Sequence, residues 1–220
     1  MDGMQGMIRC GLLAGLLVAC HTSTPPAPDG PDGSAASGLH VAFAAEPAIP
    51  GDVDNGLTLE SAQFNFDNLS MIGDGGPHDD RTTAQDLDIH FEQGWMPYPV
   101  DFPDAPSGVY SKLSFEIDGH VVNPSYRLKG KVNVNGTMMP WEVEDRAELS
   151  LSLDCGVTLP PGGSDTLTLR IKFHDALGSI DFASLPMDDG ALTLDDTNPQ
   201  MLQFRDKFSN DFSVDNSGPN

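Results

Sequence analysis

From Leu39 onward the dominant signal is an alternation of apolar and polar residues, a period of two that suits a strand with one buried face and not an amphipathic helix. In VYSKLSFEI, Val109, Leu113, Phe115 and Ile117 fall on one face, and Lys112, Ser114 and Glu116 on the other. AELSLSLD and TLTLRIKF repeat the pattern through Leu149, Leu151 and Leu153, then Leu167, Leu169, Ile171 and Phe173. LTLESAQFNFDNL does so with Leu57, Leu59, Phe64 and Phe66, but Ser61-Ala62 breaks the phase, as a β-bulge does. LHVAFAAE, QDLDIHFE and RLKGKVNVNG are further strand candidates, and Asn135-Gly136 and Pro161-Gly162-Gly163 supply turn chemistry. Short alternating strands set apart by Gly, Pro, Asp and Asn predict an all-β fold, an antiparallel two-sheet sandwich forming a single domain over residues 39–220.

Near its end the chain departs from this period. Asn198 can cap a helix, Pro199 suits the first helical position, and Met201, Phe204 and Phe208 follow at helical spacing. The spacing predicts one short C-terminal helix lying over an open end or face of the sandwich. A second helical turn is expected between Asp175 and Leu185.

The N-terminus carries a separate signal. GLLAGLLVAC, Gly11 to Cys20, follows Arg9 and is followed at once by His21, Thr22, Ser23 and Thr24. A membrane-crossing helix needs about 20 apolar residues, so this run is too short to span. A basic residue, an apolar stretch of about 7–15 residues and a small residue at its end make a secretory signal. Translation starts at Met1, Met4 or Met7, and Met7-Ile8-Arg9 makes the cleaner start.

Leu17-Val18-Ala19-Cys20 resembles the lipobox of bacterial lipoproteins. The resemblance implies a signal over residues 1–19 that is cut before Cys20, with diacylglycerol on the Cys20 thiol and a further acyl chain on the new amine. Such double anchoring is physically sufficient, because one chain alone attaches only marginally. His21 is not the aspartate that retains enterobacterial lipoproteins at the inner membrane, so the outer membrane is the expected address. Residues 20–38, from Cys20 through HTSTPPAPDGPDGSAASG, offer almost nothing apolar to bury and read as a tether.

Once the signal is removed and Cys20 acylated, Cys155 is left alone, so an internal disulfide is excluded. Its apolar surroundings in LSLSLDCGVTL point to a buried, unreactive thiol. Loss of Asp2 and Arg9 with the signal keeps the net charge at −22. Nucleic acids need basic side chains to neutralise phosphates, and anionic lipid surfaces attract basic segments. Nucleic acid is therefore not expected as a partner, and membrane contact is expected through the lipid alone. The acidity fits a solvated surface kept soluble by self-repulsion; divalent-cation binding is the other reading.

DAPSGVYSKLSFEI, from Asp104 to Ile117, resembles the P-x-G-x-Y segment and following strand of transthyretin-like and immunoglobulin-like sandwich domains in bacterial surface lipoproteins. The resemblance implies fold more than function. A narrower likeness is to periplasmic copper-binding domains similar to MbnP, which share the sandwich, the G-x-Y strand and a richness in His, Met and Trp. Here those residues are His40, His78, His90, His120 and His174, Trp95-Met96, and Met138-Met139 near Trp141. Imidazole and thioether suit copper, yet past the signal no H-x-H, H-x-x-x-H or M-x-x-M cluster occurs.

For calcium, DVDNGLTLE offers Asp52 and Asp54, and GDGGPHDD offers Asp79 and Asp80. An EF-hand is excluded, because Gly56 stands one place early and Glu60 three places early for that loop. Asp52, Asp54, Asp79 and Asp80 remain candidate calcium ligands in acidic loops, which makes calcium a candidate cofactor.

No G-x-S-x-G elbow, P-loop or H-E-x-x-H occurs in the sequence. Carboxylates are too numerous for a glycosidase pair to be singled out, and no nucleophile is named. The expectation is a lipid-anchored cell-envelope sandwich with a non-enzymatic binding or structural role toward an envelope protein or polysaccharide. The alternative is a periplasmic metal-binding protein carrying copper or calcium.

Overall fold

Each alternating run forms a strand because its apolar positions meet a second layer. The computed structural model describes residues 38–75, 80–119 and 123–216. The signal, Cys20, all of the tether before Gly38, His78, Asp79 and His120 lie outside the described residues. In chain order the described strands are β1 (Gly38–Glu46), β2 (Gly51–Asp54), β3 (Leu57–Gly73), β4 (Asp80–Ala84), β5 (Leu87–Glu92), β6 (Val100–Phe102) and β7 (Gly108–Ile117). They continue as β8 (Tyr126–Val134), β9 (Thr137–Asp145), β10 (Leu149–Leu159), β11 (Ser164–Lys172), β12 (Met187–Asp188), β13 (Ala191–Leu194) and β14 (Phe212–Asn216). Helix α1 (His174–Leu177), a 3-10 turn (Phe182–Ser184) and helix α2 (Gln200–Phe208) complete the elements.

The chain is mostly β, with two sheets and few helices, an all-β sandwich. The smaller sheet runs β14-β11-β1-β6; the larger runs β10-β7-β3-β8-β9-β13-β12, with β2, β4 and β5 also on β3. Leu39, Val41, Leu167, Leu169 and Ile171 of the smaller sheet are buried, as are Phe64, Phe66, Leu113, Phe115 and Ile117 of the larger. Rings cross between the layers, Phe43 meeting Phe66 at 5.7 Å and Phe115 meeting Phe212 at 5.7 Å.

The expectation of a purely antiparallel sandwich is corrected at two pairings. β1 pairs β11 in parallel from Gly38↔Ser164 to Glu46↔Lys172, and β13 pairs β9 in parallel. Parallel neighbours need long crossovers, and here the chain passes through the other sheet between partners. Accordingly Pro161-Gly162-Gly163 does not close a hairpin but carries the chain from β10 in one sheet to β11 in the other. Asn135-Gly136 does close one, with both residues at positive φ (52° and 87°) between Val134 and its partner Thr137.

Phase breaks in the sequence are bulges in the ladder. The register between β3 and β8 shifts between Leu59 and Ser61, where the alternation slips. A second slip corrects the reading of β7: Val109 is exposed and Tyr110 is fully buried, because the β3 and β10 registers both jump opposite Ser111. The Tyr110 hydroxyl donates to the Pro106 carbonyl at 2.5 Å.

Helix α2 lies where its pattern predicted it. Asn198 Oδ1 accepts the Gln200 N–H at 3.0 Å, Pro199 already has helical φ of −61°, and Met201, Phe204 and Phe208 are buried. Phe208 packs within 6.1 Å of Phe64 and Phe173 and 5.1 Å from Tyr126. α1 and the 3-10 turn supply the expected second helical stretch. His174 and Asp175 lie in α1, and their side chains meet at 3.1 Å.

Candidate functional site

The neighbours of β3 change along its length. Phe66 pairs with Leu87 and with Ile117, and Gln63 with His90 and with Arg127. β4 and β5 therefore follow one edge of β3, and β7 and β8 the other. Each flanking line breaks midway, at Gln85-Asp86 on one side and between Asp118 and Ser125 on the other.

The breaks open a notch of about 240 Å³ lined by Asp67, Asp86, Asp88 and Asp118 with Asn65 and Asn123. The Asp67 carboxylate accepts the Asn68 N–H at 2.8 Å, and the Asn65 side-chain amide donates to the Pro124 carbonyl at 2.5 Å. Four carboxylates around one hollow make its field negative.

Asp88 is shared with a groove that continues along β5. Outward-facing Asp88, His90 and Glu92 alternate with buried Ile89 and Phe91. One part of the groove, about 350 Å³, is lined by Asp88, His90, Glu92 and Trp95. The adjoining part, about 300 Å³, adds Ser61 and Gln63 from β3 and Arg127 and Lys129 from β8. The His90 imidazole lies 2.7 Å from Asp88. Arg127 reaches Glu142 at 3.0 Å and Glu144 at 2.5 Å, and Lys129 reaches Glu142 at 3.3 Å. The Glu144 carboxyl sits below the usual carboxylate range: burial alone would raise it, but hydrogen bonds from Arg127 and Arg146 prevail.

A closed turn begins the aromatic side of the groove. After β5 the chain turns at Gly94, whose φ of +79° a side chain would resist. Backbone bonds between Glu92 and Trp95, 3.0 Å and 3.4 Å, close the turn. Trp95 is 50% exposed and Tyr98 78% exposed, and their rings stand 6.2 Å apart at 86°.

Among the described candidate calcium ligands, Asp52 and Asp54 do not come together with Asp80. Asp52 and Asp54 lie in β2, paired at the Leu57–Thr58 end of β3, whereas Asp80 begins β4, paired with Ile72 near the other end. The described histidines are equally dispersed, His40 in β1 beside Asp101 at 2.7 Å, His90 in β5, and His174 in α1. Of the methionines near Trp141, Met138 is exposed and Met139 packs on the core, with Trp141 itself buried. Among the described residues no group of three or more His, Cys, Asp or Glu side chains is disposed to hold a metal ion. Cys155 is buried at the β10 bulge, and burial pushes its thiol up.

Sequence reading did not find the notch or the groove. Asp67, Asp86, Asp88 and Asp118 are scattered through polar stretches, and only the pairing of β5, β7 and β8 around β3 gathers them. In the sequence Trp95 stands among the copper-type side chains; the G-W pair after an alternating strand is the signal for its exposed position. The chain matches no known protein family, no curated protein and no solved structure.

Proposed function

We propose that this chain is a lipid-anchored binding module of the cell envelope, non-enzymatic, on an immunoglobulin- or transthyretin-like sandwich. Residues 1–19 are the signal, Cys20 takes the lipid, residues 20–38 are the tether, and the outer membrane is the address. The observation that carries the binding role is the Trp95–Tyr98 pair, two large exposed rings in contact with each other, with Trp95 lining a polar groove. Paired exposed aromatics of this kind mark interaction surfaces. The Tyr110 bond back to Pro106 supports the sandwich type, since a tyrosine reaching back a few residues is characteristic of immunoglobulin-like domains. The lipobox residues Leu17 to Cys20 support the anchor.

Fractionation of cells expressing wild type and Cys20→Ala tests this reading. Wild type is expected with the membranes and the variant in the soluble fraction. A fully soluble wild type overturns the anchor.

A further inference from the structure

We infer that the β5 face binds an uncharged polysaccharide, an assignment that rests on the binding-module reading. Trp95 and Tyr98, at 86° and 6.2 Å, form a corner. A sugar ring fits it, with its C–H face laid on one ring and its edge against the other, since aromatic faces attract the weakly positive C–H groups. The turn closed by Glu92 and Trp95 fixes the backbone on which the Trp95 ring stands, so that side of the corner loses little freedom on binding.

The groove beside the rings offers acceptors and donors side by side. Asp88 and Glu92 accept; Gln63, Arg127 and Lys129 donate. A hydroxyl does both, so a row of sugar hydroxyls satisfies a surface that a purely donating or purely accepting ligand would leave half unpaired. Glu142 and Glu144 hold Arg127 and Lys129 in position, while a guanidinium with five N–H groups and an ammonium with three retain donors for a ligand. Charge removes polyanions, which meet a chain of net charge −22 and the carboxylates of the adjoining notch.

The test is native affinity electrophoresis of the full chain in mild detergent. Gels contain mixed-linkage β-glucan, xylan, galactomannan or dextran, with polygalacturonate and dextran sulfate as anionic controls. Retardation is expected by at least one neutral polysaccharide and by neither polyanion. Trp95→Ala and Tyr98→Ala should each weaken it at least tenfold without moving Tm, because both side chains are exposed. Met138→Ala, an exposed methionine on β9 outside the groove, should change nothing. Absence of retardation by every neutral polysaccharide, retardation that survives Trp95→Ala, or preference for a polyanion overturns the assignment. A membrane-bound chain that no polysaccharide retards refutes the glycan alone. A soluble chain that one does retard refutes the anchor alone.

Discussion

The guanidinium of Arg205 on α2 grips the Asp145 carboxylate at the end of β9 with two hydrogen bonds, from Nε at 2.6 Å and from a terminal nitrogen at 2.5 Å. Asp145 is fully buried and accepts further bonds from the Tyr126 hydroxyl at 2.6 Å and the Ala147 N–H at 3.0 Å. A carboxylate out of water is costly unless its oxygens are occupied. Here the bonds that occupy them also fasten the helix to the larger sheet.

Arg205→Leu should destabilise the fold by about 3–5 kcal/mol in urea unfolding, because it strands a buried charge. Burial alone would raise the Asp145 pKa, but the bonds from Arg205, Tyr126 and Ala147 hold it below the usual range. Its contribution to stability is therefore complete above the ordinary carboxylate value of about 3.9 and is lost as pH falls through the depressed folded value. The destabilisation in Arg205→Leu should shrink on acidification; a constant difference from pH 7 to pH 2 would contradict this.

Asp211 is the opposite case. Burial raises its pKa, the Ala176 N–H opposes that only in part, and Asp175 adds to the rise. The folded state thus favours the proton, a stabilising contribution present below the ordinary value and lost as pH rises through the folded value. Asp211→Asn keeps an acceptor for Ala176 and removes the desolvated charge. It should cost no more than about 1 kcal/mol at pH 7, and its stability relative to wild type should decline toward pH 3. Urea midpoints at the two pH values check the sign.

Gly130 faces Trp141 across β8 and β9. A Cβ there would stand 1.9 Å from the Thr58 carbonyl oxygen and 2.6 Å from the indole ring. Gly130→Ala should lower stability by about 2 kcal/mol or more. Adding Trp141→Phe should not restore it, since the nearer obstacle is backbone. Thermal unfolding of the single and double variants decides.

Cys155 should resist thiol reagents in the folded protein, its thiol raised by burial and in contact with the Tyr110 carbonyl. In a Cys10→Ser, Cys20→Ala chain, modification at pH 8 should be slow in buffer and fast in urea. Equal rates would show Cys155 to be accessible.

Much of the sandwich was legible because burial on one face writes itself into a strand as a period of two. TLTLRIKF and the Met201, Phe204, Phe208 spacing needed no partner to be read. Val109 was misread because a bulge shifts phase without changing composition, and only β3 and β10 reveal it. The parallel pairing of β1 with β11 joins residues more than a hundred positions apart, and no local pattern encodes such a partner. The notch and groove are assembled the same way, by strands that meet only once folded. The loops that did look like sites, around Asp52 and Asp80, lie toward opposite ends of β3.

A sandwich that works from a membrane surface needs a lipid on Cys20, and the covalent state of Cys20 tests that most directly. Mass spectrometry of the N-terminal proteolytic fragment from protein purified out of membranes should find a chain beginning at Cys20 and carrying diacylglycerol on sulfur and an acyl group on nitrogen. A fragment running through Cys20 from an upstream residue, or one with an unmodified thiol, would contradict it.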